Sequence, residues 1–188
     1  MASSYRCLAL LLALVSAMSL LACAQEGADR QRDTKISQPG LQGKKGEIQW
    51  LDFNHGLARA RADNKSIMID FYTDWCVYCK KLDRETLQNQ EVTRILTENF
   101  IAIRLNAEKS EGDILYRGKA YSPAGLSRYF GVTAFPSLAF LDSGGQPITL
   151  LPGFVPAPQF SAILNYIQQK CYLTHISFDE FIRKGDCN

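Results

Sequence analysis

An apolar run, Ser66-Ile67-Met68-Ile69-Asp70-Phe71-Tyr72, is followed after two polar residues by Trp75-Cys76-Val77-Tyr78-Cys79-Lys80. A run of that length, bounded upstream by Ala62-Asp63-Asn64-Lys65, predicts a buried strand, and Lys80 to Leu87 suits a helix. Cys76 therefore falls at a strand-to-helix junction. Unpaired backbone N–H groups and the positive end of the helix dipole favour a thiolate there. Cys79 lies about one turn further in, close enough to close a disulfide. Cys76 is thus the candidate nucleophile and Cys79 the candidate resolving thiol. A tetrahedral zinc site would need two more ligands, and Cys171 with Cys187 lacks the spacing of a second knuckle, so no metal is expected. His55 and His175 are isolated in sequence and read as surface or capping residues. No cofactor is expected beyond the redox-active pair itself.

The Trp-Cys-Val-Tyr-Cys-Lys motif, the stretch Gly131-Val132-Thr133-Ala134-Phe135-Pro136-Ser137-Leu138 and Gly153 follow one another in an order that resembles the thioredoxin superfamily. The likeness is closest to periplasmic members such as the C-terminal reductase domain of DsbD-type proteins, and it runs from about Ile48 to Gln169. It implies an α/β thioredoxin-like fold, with a central mixed sheet flanked by helices. It also implies that Pro136 is cis, setting the Phe135 backbone beside the disulfide to pair with an extended substrate segment, as in β-augmentation. The resemblance further gives Asp70 the place of a buried carboxylate beneath the resolving cysteine, where it takes the proton as Cys79 attacks. A carboxyl in an apolar strand would have a raised pKa, which suits that work. Arg104 falls near the position of a family lysine that partners this carboxylate, and an exposed strand-end charge reads equally well. Trp75 and Tyr78 are expected as rim aromatics that either contact partner polypeptides or simply pack. Two departures stand out: Val77-Tyr78 replaces the usual Gly-Pro, and Ala107 to Tyr121 is longer than the family needs.

Residues 1–22 carry Arg6, an apolar run and then small residues, the layout of a secretory signal peptide. Two cleavage readings compete. Leu20-Leu21-Ala22-Cys23 resembles a lipobox with Cys23 lipidated, whereas Ala22-Cys23-Ala24 suits an ordinary signal peptidase. The lipoprotein is the favoured reading, and an uncleaved anchor is disfavoured because the apolar run is short for a span. Residues 23–45 are polar with few large apolar groups and read as a tether. Residues 46–170 then suit one thioredoxin-like domain and 171–188 a C-terminal extension. The 21 basic and 19 acidic residues form no block of one sign, so nucleic acid is not indicated as a partner.

Six cysteines fit an exported chain. With Cys7 in the signal, Cys23 at the lipid site and Cys76 with Cys79 in the motif, Cys171 and Cys187 remain to pair. They bracket Ser177-Phe178-Asp179-Glu180, a capping-box pattern opening a short helix that ends at Gly185, so a disulfide would clip a helical extension to the domain. Elsewhere, Ile48 to Trp50 is a candidate edge strand and Asp52 a cap for a helix burying Phe53, Leu57 and Ala60. Ser122-Pro123 opens another helix. Ser137 to Leu141 and Ile148 to Leu151 form a hairpin, and Phe160, Ile163, Leu164 and Ile167 mark the last main helix.

These features lead to an expectation of an exported thiol-disulfide oxidoreductase, periplasmic or in the cell envelope and tethered by lipid. Protein disulfides would be its substrates, and a DsbD-type membrane protein a possible electron donor. A reductase is favoured because Val77 and Tyr78 bring no positive charge to hold a thiolate. The rivals are an oxidase or isomerase with a more oxidising pair, and a non-catalytic thioredoxin-fold lipoprotein that holds partners at the Phe135-Pro136 edge.

Overall fold

The computed structural model describes residues 46–187. The expected signal peptide, the expected tether and Cys23 lie outside the described residues. The elements in chain order are β1 (Trp50–Leu51), α1 (Phe53–Asp63), β2 (Ser66–Tyr72), α2 (Val77–Leu82) prolonged by a π-helical turn (Asp83–Leu87), α3 (Gln90–Asn99) and β3 (Phe100–Asn106). They continue with β4 (Ile114–Tyr116), β5 (Lys119–Tyr121), α4 (Pro123–Tyr129), β6 (Ser137–Leu141), β7 (Pro147–Pro152), α5 (Ala157–Gln168), a 3-10 turn (Cys171–Leu173) and α6 (Phe178–Lys184). None of the described helices is long and apolar enough to cross a membrane.

Five strands form one mixed sheet in the order β1-β3-β2-β6-β7, and β4 with β5 forms a separate hairpin. β2 lies at the centre, parallel to β3 and antiparallel to β6. Both its faces are covered, which explains why its sequence is a continuous apolar run rather than an alternation. Ile67, Ile69 and Phe71 enter one core cluster with α1 and α4, while Met68 enters the other with α2, α3 and α5. The strand period of two therefore puts Asp70 on the Met68 face, the side that α2 covers. The edge strand is Trp50–Leu51 rather than Ile48 to Trp50. Its pairing with β3 is limited to Trp50↔Ala102 and Leu51↔Ile103, and Asp52 already serves as the cap of α1.

Local capping chemistry sets the helix starts. Asp52 accepts from His55 N, Asn89 from Glu91 N and Val92 N, and Ser122 from Gly125 N, with Pro123 in the first turn. Ser177 accepts from Glu180 N at 3.2 Å, and Gly185 closes α6 at φ +84°, where glycine carries no Cβ penalty. Glu180 pairs with Lys184 at 2.9 Å instead of completing the reciprocal half of the capping box. The helix expected over Lys80 to Leu87 widens to a π turn from Asp83, where the Thr86 hydroxyl donates to Val155 O at 2.6 Å.

The long segment after β3, marked in the sequence only by its length, carries structure of its own. Arg117 and Gly118, at φ +52° and +76°, make the tight turn between β4 and β5, the pair of positive values that a two-residue hairpin requires. Ile114 and Tyr116 are buried and Leu115 is exposed, a strand alternation only three residues long. Tyr116 meets Phe53 edge-on and donates its hydroxyl to Gly145 O at 2.9 Å. Asn54 holds the outer side of β4, accepting from Leu115 N at 3.0 Å and donating to Asp113 O at 2.8 Å.

Candidate active site

Cys76 is the N-cap of α2, in extended backbone, and Cys79 sits in the first turn. The two form a disulfide with Cα atoms 5.3 Å apart, and Cys79 N donates to Cys76 Sγ at 3.0 Å. An acceptor sulfur receiving a helix-terminal N–H is also the place where a thiolate would be held. Both cysteines are buried, while Trp75, Val77 and Tyr78 around them are exposed. The junction arises because β2 ends at Tyr72 and a short turn, Cys76 N donating to Thr73 O at 3.2 Å, delivers the chain straight into the helix.

Beneath this helix face, Asp70 is fully buried. Arg104, its register partner on β3, donates from Nε to Asp70 Oδ2 at 2.9 Å and approaches the same oxygen with Nη2 at 2.8 Å. The same Nη2 also reaches Asp83 Oδ1. The guanidinium lies over Trp50 at 4.6 Å and Tyr72 at 5.1 Å from the ring centroids, so it is stacked as well as paired. Arg104 is thus the partner of the buried carboxylate and not an exposed strand-end charge. Burial pushes the Asp70 carboxyl up to about 6, opposed by the charge and hydrogen bond of Arg104 and assisted by the nearby Asp83. Burial works against the Arg104 charge, yet Asp70 and Asp83 together hold its pKa above the ordinary value. Asp70 Oδ1 and the Thr73 hydroxyl have no hydrogen-bond partner, leaving one carboxylate oxygen open to receive a proton. A cavity of ≈ 380 Å³ lined by Trp50, Asp83 and Arg104 lies on the outer side of the pair.

On the opposite flank the Phe135–Pro136 peptide bond is cis, and Pro136 O accepts from Gly153 N at 2.7 Å. Trp75 meets Phe135 edge-on at 6.3 Å. Its indole N–H donates to Glu108, and Asn106 donates to Asp74 Oδ2 at 3.1 Å. The structure therefore brings Trp75, beside the Cys76–Cys79 pair, against Phe135 of the cis-proline segment, and puts Asp70 on the sheet face that α2 covers. Cys171 and Cys187 form the second disulfide. His55 is exposed against the Asp52 carboxylate, and His175 is exposed. Among the described residues no cluster of side chains could hold a metal ion.

Asp83, Asn106 and Glu108 escaped the sequence reading. Asp83 follows Cys79 by one helical turn and a residue like it is common on any helix surface. Asn106 and Glu108 end a strand and begin a polar segment, and nothing in their spacing marks them.

The description of a thioredoxin-like domain matches residues 53–168, more than half of the chain. The chain belongs to the thioredoxin-like family. Its strand order, its helix-capping Cys-x-x-Cys pair and its cis-proline segment are those of a thioredoxin-like domain carrying the paired cysteines of a thiol-disulfide oxidoreductase. Among curated proteins it is 29% identical over 164 residues to the thiol:disulfide interchange protein DsbD of Vibrio cholerae, covering 85% of this chain and 25% of that protein. It thus spans about a quarter of that relative. Among solved structures, a thioredoxin-fold protein from Helicobacter pylori superposes with a TM-score of 0.55 at 25% identity, over 65% of this chain and 80% of that one. The DsbH oxidoreductase superposes at 0.54 and 21% identity, over 71% and 96%, a likeness of fold.

Proposed function

We propose that this thioredoxin-like protein is an exported reductase of protein disulfides. The observation that carries the reading is the Cys76–Cys79 disulfide at a helix N-terminus above a buried, arginine-held Asp70. In the reduced protein the Cys76 thiolate attacks a substrate disulfide, forming a mixed disulfide and expelling one substrate sulfur as a thiolate that takes a proton from solvent. Cys79 then passes its proton to Asp70 and attacks Cys76 Sγ, closing the Cys76–Cys79 bond and expelling the second substrate sulfur as a thiolate that takes a proton from solvent, while Asp70 returns its proton to solvent. Two electrons leave the protein per cycle. Trp75, Tyr78 and the Phe135-Pro136 segment would receive the partner polypeptide, with main-chain pairing supplying affinity without demanding a sequence.

The direction rests on what surrounds the thiolate. Val77 and Tyr78 contribute no cation, so the reduced form is less stabilised than in a strongly oxidising pair and the potential is lower. The similarity to DsbD supports a place in the same chemistry, with a DsbD-type membrane protein as electron donor. A signal peptide and a Cys23-lipidated tether would put the domain in the periplasm or cell envelope, standing off a membrane; the mass of the mature N-terminus tests this, and unmodified Gln25 at the start would exclude lipidation. The reduction potential of the Cys76–Cys79 pair tests the function. A value near thioredoxin's roughly −270 mV supports a reductase, and one near roughly −120 mV reverses the direction to an oxidase. A Cys79→Ser variant that traps no mixed disulfide with any protein would leave only a binding role.

A further inference from the structure

The motif helix and the cis-proline segment are both tied to a third piece of chain, the loop 153–156 between β7 and α5. At its start Gly153 N donates to Pro136 O at 2.7 Å. Two residues on, the Val155 carbonyl accepts the Thr86 hydroxyl at 2.6 Å, and between them the Phe154 ring centroid lies 4.4 Å from the Lys81 ammonium. Lys81 belongs to α2 and Thr86 to the π turn that prolongs it, so both of these ties come from the helix that Cys76 caps. Thr86 is fully buried and Val155 is buried. A hydroxyl and a carbonyl that meet out of water hold each other closely, because either one left unpaired there carries its desolvation cost in full. A threonine inside a helix ordinarily returns its hydroxyl to a carbonyl of the preceding turn. Thr86 instead gives it to a loop 69 residues away in sequence.

We propose that Thr86 is a positioning residue for polypeptide substrates: by fastening this loop to the motif helix it fixes the Phe135-Pro136 segment relative to Cys76, and with it the line along which a substrate disulfide is attacked. This rests on the reading that protein disulfides are the substrates. As the Cys76 thiolate bonds to one substrate sulfur, the other leaves on the far side, so the three sulfurs must lie in line. A polypeptide paired along Phe135-Pro136 has its disulfide placed by that segment, and slack between segment and helix enters directly into the alignment. A small disulfide with no peptide bond to pair orients itself and loses little. Cys76, Cys79 and Asp70 do the chemistry, and Thr86 acts through the loop.

The test uses the protein reduced with dithiothreitol and desalted, and measures second-order rate constants with insulin and with bis(2-hydroxyethyl) disulfide. Thr86→Val keeps the shape of the side chain without its hydroxyl, and is expected to slow the insulin reaction about three- to tenfold, at least about threefold more than the small-disulfide reaction. Thr86→Ser restores a hydroxyl and is expected to stay within about twofold of the parent on both substrates. Phe154→Leu leaves Thr86 in place but removes the ring that Lys81 holds, so it loosens the same loop by its other tie and is expected to lower the ratio of the two rates by at least about twofold. Equal slowing on both substrates, a Thr86→Val that unfolds at lower denaturant yet keeps both parental rates, a Thr86→Ser as slow as Thr86→Val, or an unchanged ratio in Phe154→Leu would each overturn the assignment. A parent protein that reduces neither disulfide overturns the reductase reading and this proposal with it, and is told apart from the other failures because no variant is needed to see it.

Discussion

Asp70 occupies a central strand whose two faces are both covered, so its charge has no solvent to fall back on and depends on a single guanidinium. Its carboxyl, pushed up to about 6 by that burial, binds its proton more tightly in the folded protein than in the unfolded chain. The linkage sign follows: stability from this group is complete below pH about 4 and is lost as pH rises through about 6. Asp70→Asn removes the titration, so the difference between variant and parent in denaturant unfolding should move in the variant's favour from pH 4 to 7, by on the order of 2–3 kcal/mol. A difference independent of pH would show that Asp70 titrates normally. Arg104 bears on the same proton. Without the guanidinium, burial acts unopposed, so Arg104→Gln should shift the pH profile of mixed-disulfide resolution upward, read by quenching the reaction of the reduced protein with insulin at successive pH values. A profile that stays in place would mean that Arg104 serves packing alone. The carboxylate could be found from sequence because the thioredoxin resemblance gives Asp70 that place and an Asp inside an apolar run supports it. Asp83 could not, because its role depends on the π turn that carries it to Arg104, and that turn has no sequence signature.

At the scale of elements, α1 lies close on β3 because Gly56 has no side chain: a Cβ there would collide with Ile103 Cγ1 and Cδ1. Cγ1 is near the backbone and cannot swing away, so the helix or the strand must shift. Gly56→Ala gains helix propensity of about 1 kcal/mol but overpacks a site where such insertions cost about 1–3 kcal/mol. Net destabilisation is therefore expected, as a lower midpoint in chemical denaturation with an unchanged slope. A higher midpoint would show that the interface yields freely. The starts of the helices were legible because each rests on a local rule: Asp52, Ser122-Pro123 and Ser177 all cap where the sequence places them. The β4–β5 hairpin was not legible. Its strands are three residues long, and what orders them is tertiary: the Tyr116 hydroxyl on Gly145 O and the Asn54 clamp on β4, contacts separated by 29 and 61 residues in sequence. The same holds for the edge strand, whose end is fixed by the competition between pairing to β3 and capping α1.

For the whole molecule, the central sheet separates two cores, and the C-terminal extension is fastened to the outside of α5. Tyr166 meets Phe178 and Phe181 edge-on at 5.5 and 5.4 Å and donates its hydroxyl to Ile176 O at 2.9 Å. The Cys171–Cys187 bond then closes a loop with a sequence separation of 16 around α6. Closing a loop of that size removes disorder from the unfolded chain worth about 3 kcal/mol in the chain-entropy account. The aromatic contacts remain when the bond is absent, so a Cys187→Ser variant should stay folded but melt at a lower temperature. Cys171 and Cys187 share no partner with Cys76, Cys79 or Asp70 among the contacts described, so their energies should add independently. The potential of the Cys76–Cys79 pair is therefore expected to stay within about 10 mV of the parent, a change worth well under 1 kcal/mol for a two-electron couple. Thermal unfolding of the oxidised proteins, paired with the potential measured against glutathione, checks both parts. An unchanged melting temperature would make the second disulfide superfluous to stability, and a large shift in potential would tie the extension to the redox site rather than to the scaffold.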